Sequence, residues 1–170
     1  MTEHPQNNIK YFWEDLPVGQ TAEIGSVIVQ RDEAIDFARK YDPLPFHMDD
    51  AAAAQSIFGK LSASGWHTCA LAMGLMVRNF LHEAAVLGSP GLEQIKWLRP
   101  VYPGDTLTLH QRVIASRPLK SRPDTGLTRF LWEMFNQHGK QVLLMDGYTM
   151  FRRRIPGSPP DSPKSGAQND

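Results

Sequence analysis

This chain is poor in the features that staple, anchor or strongly charge a protein. One cysteine, Cys69, in 170 residues excludes an internal disulfide. Its apolar neighbours suggest a small buried side chain. Lys+Arg and Asp+Glu number 18 each, for a formal net charge of zero. No one-signed field recruits nucleic acid or an anionic membrane, and no dense basic patch with interleaved aromatics appears. No apolar run approaches the roughly 20 residues of a membrane span, and Met1-Thr2-Glu3-His4-Pro5 lacks the basic-then-apolar pattern of a leader. A cytoplasmic protein without nucleic-acid or membrane partners is the expectation. His4, His82, His110 and His138 have no carboxylate or cysteine at metal-ligand spacing, so no metal is expected. Ser62 and Ser64 lack the Gly-x-Ser-x-Gly elbow of a serine nucleophile and have no assignable triad partner. They read as loop hydroxyls that bond the chain or a ligand.

What is present suits one α+β domain with a real core: 170 residues, 41% hydrophobic, with 13 glycines besides. Residues 1–10 read as a loose polar end, 11–155 as the domain, and 156–170, rich in Pro, Ser, Gly and Asp, as a disordered tail. Thr21 to Gln30 is a β-branched first strand. Asp32 to Tyr41 is a short helix with Ile35, Ala38 and Tyr41 on one face, capped by Asp32 and stopped by Asp42-Pro43. Asp49 caps a second helix, Asp50 to Gln55. Gly65 to Leu87 carries the longest helical pattern, with Trp66, Ala70, Met73, Val77, Phe80 or Leu81 and Ala84 recurring at helical spacing. A helix apolar on most of its circumference must be covered on most of it, so a sheet should curl round it. After Ser89-Pro90-Gly91, strands are predicted over 92–98, 106–117, 127–136 and 141–153, separated by Pro/Gly turns at 100–105, 122–126 and 137–140. Short linkers imply antiparallel meanders.

The chemistry gathers in Asp42-Pro43-Leu44-Pro45-Phe46-His47 and Leu61-Ser62-Ala63-Ser64-Gly65-Trp66-His67. Prolines at 43 and 45 fix their own φ and bias the residues before them towards extended backbone, so the acid and the imidazole sit on a stiff non-helical segment. Gly65 begins the long helix, where backbone N–H groups lack intrahelical acceptors and the positive dipole end lies behind them. Carboxylate, imidazole and bare amide suit acid–base chemistry on a carbonyl compound. Each has a plainer reading: Asp42 as a helix-end turn, His47 as a loop histidine, Gly65 as a point of close packing. His67 reads as a helix-start histidine bonded to neighbouring backbone. Arg152-Arg153-Arg154 reads as a solvated strand end, with contact to coenzyme A phosphates the lesser alternative. Met73 and Met76 read as core, with Met73, Gly74 and Trp66 as candidates to shape a pocket.

Asp42-x-x-Pro45-x-His47, Asp49, the Ser64-Gly65 junction before the apolar helix, and Trp97-Leu98-Arg99-Pro100-Val101-Tyr102-Pro103-Gly104-Asp105 resemble the MaoC-like dehydratases, which include the R-specific enoyl-CoA hydratases of the hydratase 2 type. The resemblance covers roughly Tyr11 to Arg154. It implies a hot-dog domain, a curved antiparallel sheet wrapped round one helix. It implies hydration or dehydration of a 2-enoyl thioester in fatty acid metabolism, with no cofactor beyond the coenzyme A of the acyl-CoA substrate. Asp42 and His47 would be the catalytic pair and the Gly65 N–H the oxyanion contact, with Ser64 and Trp66 beside the substrate. The family pattern has Asn where this chain has Leu44, and His where it has Ser64. A hot-dog thioesterase, or a non-catalytic acyl-thioester binding subunit, remains the alternative. The open edges of a single sheet, and the same resemblance, imply a homodimer.

Overall fold

The computed structural model describes residues 9–155. The loose ends expected at 1–10 and from 156 therefore fall, apart from residues 9 and 10, outside the described residues. Five antiparallel strands form one sheet in the order β1-β3-β4-β5-β2. They are β1 (Thr21–Ile28), β2 (Val86–Trp97), β3 (Thr106–Leu119), β4 (Arg122–Phe135) and β5 (Gln141–Arg152). Helices α1 (Arg31–Tyr41), α2 (Asp50–Ala54) and α3 (Gly65–Asn79) lie between the first two strands. The β3-β4-β5 meander follows from its short linkers, but the turn at 100–105 does not pair β2 with β3 as expected: β2 lies on the far edge against β5, and β1 takes the edge beside β3. Leu71, Ala72, Leu75 and Met76 of α3 share one core with Leu107, Leu109, Phe130, Met134 and Leu143 of the sheet. This is the curved sheet wrapped round one helix that the hot-dog resemblance implies.

Several boundaries differ from expectation for identifiable reasons. Helix α3 stops at Asn79, eight residues early, because Asn79 Nδ2 donates to Ile24 O (2.9 Å) and Phe80, at φ −147° and ψ −60°, turns into the core. Strand β2 begins at Val86 and runs through Pro90, which had read as a terminator. On an edge strand the missing proline N–H costs no ladder bond, and the register against β5 shifts around Gly88 and Gly91. Arg122 to Gly126 is not the β3–β4 turn either: Leu119 pairs with Arg122, and Pro123-Asp124-Thr125-Gly126 is the irregular start of β4. Helix α1 starts at Arg31 with Gln30 in the cap position, so Asp32 lies inside its first turn, and Tyr41 is exposed rather than packed with Ala38. Asp49 does cap α2, its Oδ1 accepting from the Ala52 N–H at 2.8 Å.

The largest correction concerns which face of α3 is covered. His67, Thr68, Leu71, Ala72, Leu75 and Met76 are buried, whereas Trp66, Ala70, Met73 and Val77 form an exposed stripe. An all-round apolar helix satisfies the period on either side; the sheet of one chain covers only one of them.

Arg153 is buried rather than solvated, against Glu14 (3.9 Å) and over the Trp13 ring, tying the end of β5 to the first turn of the domain. Trp13 is fully buried, and a Cβ at Gly126 would overlap its indole. Gly126→Ala should therefore cost about 1–3 kcal/mol of unfolding free energy, as overpacking does. Urea denaturation checks this against wild type, with an unchanged midpoint the contrary result.

Candidate active site

Helix α1 delivers Asp42 as its C-cap: the Asp42 N–H donates to Ala38 O (2.8 Å), and the Leu44 N–H turns back to Asp42 O (2.7 Å). Pro45 then starts a single 3₁₀ turn, Pro45–His47, instead of the wholly non-helical loop expected, with the His47 N–H on Leu44 O at 2.9 Å. This compact turn brings the His47 imidazole back over Asp42, its Nε2 3.5 Å from Asp42 Oδ2. Phe46 meets the imidazole edge to face at 4.6 Å, and Phe58 stacks on it at 6.2 Å, so the ring has little room to rotate.

The segment 61–64 addresses both groups. Ser62 O lies 2.7 Å from His47 Nδ1. A carbonyl only accepts, so Nδ1 carries a proton, and Nε2 is the ring nitrogen that faces Asp42. Ser64 Oγ donates to Asp42 Oδ2 at 2.7 Å and accepts from the Trp66 N–H at 3.2 Å, capping α3 while it orients the acid.

Gly65 opens α3, and a Cβ there would lie 2.6 Å from Trp97 Nε1. The glycine is required by space: Trp97 Nε1 donates to Gly65 O (2.9 Å) and its indole meets Trp66 at 5.1 Å. The close-packing reading of Gly65 is thus correct, and it leaves the Gly65 N–H at the first helical position, ahead of any intrahelical acceptor.

Asp42, His47, Gly65 and Trp66 all line one cavity of about 430 Å³, with Phe58, Ser62, Ala63, Thr68 and the 97–101 segment around them. Ser64, expected beside the substrate, is instead fully buried behind the lining and touches it through Asp42 and the Trp66 N–H. Leu44 is half-exposed and, like Met73 and Gly74, absent from the lining, so Met73 and Gly74 do not shape this pocket. Sequence reasoning missed Trp97 and Arg99 as site residues, although both stand in the Trp97-Leu98-Arg99-Pro100 run that β2 carries to the cavity. It also missed Phe58, whose only signal was its place next to a Gly-Lys turn. Among the described residues no group of His, Cys, Asp and Glu could hold a metal, and no helix is long and apolar enough to cross a membrane.

His67 departs from its reading as a backbone-bonded histidine. It is 2% exposed, packed 5.0 Å from the Phe37 ring of α1, and neither ring nitrogen has a hydrogen-bond partner. Burial pushes its pKa below the ordinary imidazole value, with Glu33 acting in the opposite sense. The folded state therefore holds His67 neutral while the unfolded chain takes up a proton near about pH 6.5. The resulting stability is present above that pH and is lost as pH falls from it towards the lower folded value. His67→Leu should weaken this acid dependence, measured as the change in urea midpoint between about pH 7.5 and about pH 5.

Comparison with known proteins bears on the family and the fold. The family model described as "MaoC like domain" matches residues 16–128. An uncharacterized Bacillus subtilis protein, YdeM, is 26% identical over 134 residues, which are 79% of this chain and 92% of that one. The crystal structure of a MaoC-like dehydratase from Rhodospirillum rubrum is similar with a TM-score of 0.79 and 38% identity, covering 85% of this chain and 98% of that one. The unliganded R-hydratase PhaJ1 of Pseudomonas aeruginosa is similar with a TM-score of 0.68 and 27% identity, covering 91% and 96%.

Proposed function

We propose that this chain, which belongs to the MaoC-like domain family, reversibly adds water across the double bond of a 2-enoyl thioester, with acyl-CoA as its substrate and Asp42 and His47 as the catalytic pair. The observation that carries this reading is the placement of the pair: His47 Nε2 and Asp42 Oδ2 lie 3.5 Å apart on one cavity wall, and with Nδ1–H donating to Ser62 O the neutral imidazole offers Nε2 as a second acceptor beside the carboxylate. Two acceptors so close are satisfied together by the two O–H groups of one water, whose lone pair then points away from the wall, towards C3 of an enoyl group.

As the water oxygen bonds to C3, the C2–C3 π electrons move towards the thioester carbonyl. The Gly65 N–H, with the dipole of the 15-residue α3 behind it, would receive the developing oxyanion. A donor of this kind is worth roughly 3–4 kcal/mol where it has been removed by mutation. The proton released by the water passes to Nε2 and is returned through the Asp42–His47 pair to C2. The pair ends in the protonation state in which it began, OH on C3 and H on C2 account for the whole water, and elimination retraces the same states. No further reagent is called for. Ser64 serves this scheme by holding Asp42, while Trp66 and Trp97 supply an apolar wall.

Asp42→Ala and His47→Ala should each lower kcat by about 10²–10⁴-fold, the usual contribution of a positioned acid or base. The assay is loss of the enone absorbance of crotonyl-CoA, with circular dichroism melting as the control for folding. Full activity in both variants would remove the mechanism. Release of free thiol from a saturated acyl-CoA would point instead to a thioesterase, and tight acyl-CoA binding without turnover to a binding subunit.

We further propose that the working unit is a homodimer. The exposed stripe on α3 includes Trp66 (54% exposed) and Met73 (51%), and Trp66 meets Trp97 at the end of edge strand β2, where Trp97 and the following Leu98 are half-exposed. An apolar face of this kind next to unpaired strand edges is stabilised by a second copy. Met73→Glu should shift the elution and light-scattering mass from dimer to monomer at micromolar concentration. A monomeric wild type would contradict the proposal.

A further inference from the structure

The cavity carries one cation whose role the hydration scheme leaves open. Arg99, just past the end of β2, is the sole Lys or Arg among the lining residues. Its Nη1 donates to Gln141 O at 2.7 Å, which anchors the guanidinium against the start of β5, and among the described residues it has no carboxylate partner. A guanidinium offers five N–H donors in a planar fork, so most of this fork is positioned but uncommitted, a pattern that suits a phosphate. Of the three arginines considered for such a role, Arg153 packs on Glu14 and Trp13, Arg154 pairs with Asp15 at 2.7 Å, and Arg152 is absent from the cavity lining. Acid–base chemistry occupies the Asp42 and His47 wall, and the Trp66 and Trp97 indoles give an apolar stretch of the same cavity.

We propose that Arg99 is a specificity-determining residue that binds a phosphate of the substrate's carrier, at the far end of the pantetheine arm whose thioester lies against Gly65. The inference rests on the thioester reading above and adds to it the recognition of the carrier's anionic end. Lys60 strengthens the local positive field without lining the cavity. It lies over the Tyr102 ring at 4.0 Å, on a loop joined to the 97–102 segment by Ala63 N–H donating to Val101 O (2.8 Å) and Tyr102 Oη donating to Phe58 O (3.2 Å). A bidentate site of this kind distinguishes Arg from Lys by shape as well as charge.

The test compares crotonyl-CoA and crotonyl-4′-phosphopantetheine with crotonyl-pantetheine, which share acyl group, thioester and arm; the second differs from the third only in a phosphate, and the first adds the rest of the nucleotide. Binding is read by tryptophan fluorescence and turnover by enone absorbance. The wild type should favour the two phosphorylated thioesters by about tenfold in Kd and KM, the effect of one charge-assisted contact at an exposed rim, and Arg99→Ala should abolish that preference. Arg99→Lys should restore only part of it. An Arg99→Ala effect of equal size on all three thioesters would overturn the proposal, because the partner of Arg99 would then lie on the acyl or pantetheine portion. No effect on any of them would overturn it too. Binding with the same phosphate preference but no turnover would sink the hydration reading and leave Arg99's role standing.

Discussion

The site depends on a three-residue segment, Ser62-Ala63-Ser64, that bonds to both titratable groups at once. Its first carbonyl fixes the His47 tautomer, its last hydroxyl holds the Asp42 carboxylate, and the Ala63 N–H between them donates to Val101 O, fastening the segment to the loop after β2. All three residues are buried, so these bonds form where competing water is scarce and each is worth more than at the surface. Because Ser64 also caps α3, the element that orients the acid is the same one that aims the Gly65 N–H. Acid, base and amide are therefore placed by one stretch of backbone, and a shift in any of them is resisted by the other two.

That coupling explains why the centre of the site could be read from the sequence while its walls could not. Asp42, Pro43, Pro45 and His47 are close in the chain, and proline restricts the backbone whatever surrounds it; Ser64-Gly65 marks a helix start by local chemistry alone. The tautomer of His47 depends instead on a carbonyl fifteen residues away, and the need for glycine at 65 depends on the Trp97 indole thirty-two residues away. Neither leaves a local signature. Where the family pattern has Asn, the half-exposed Leu44 side chain lies outside the cavity lining, and the Ser64 hydroxyl engages the acid.

The fold shows the same division. The β3-β4-β5 meander and the wrapped helix follow from apolar periodicity and short linkers, which are properties of consecutive residues, whereas the pairing of β1 with β3 and of β2 with β5 joins strands distant in the chain. The errors fall where a residue type has two uses. Pro90 looked like a terminator because proline breaks central strands, yet it sits on an edge where no N–H is needed. Gly126 looked like a turn residue, but its lack of a side chain makes room for the Trp13 indole. Arg153 looked solvated, as arginines mostly are, until Glu14 and Trp13 buried it. In each case a partner distant in sequence decides between the two uses.

The misread face of α3 has the same origin and a functional consequence. Period 3.6 places Trp66, Ala70, Met73 and Val77 on one stripe but does not say what lies opposite it. Trp66 belongs at once to that exposed stripe and to the cavity wall, and Trp97 does the same from the end of β2. A second copy seated on this face would thus cover the mouth of the cavity along with the stripe. Excluding water there lowers the local dielectric around the Asp42–His47 pair and the Gly65 amide, strengthening each contact made to a developing charge. On this reading the apolar surface that one chain leaves uncovered and the polar chemistry it encloses are two sides of the same pair of indoles, so association and catalysis would be favoured by the same residues.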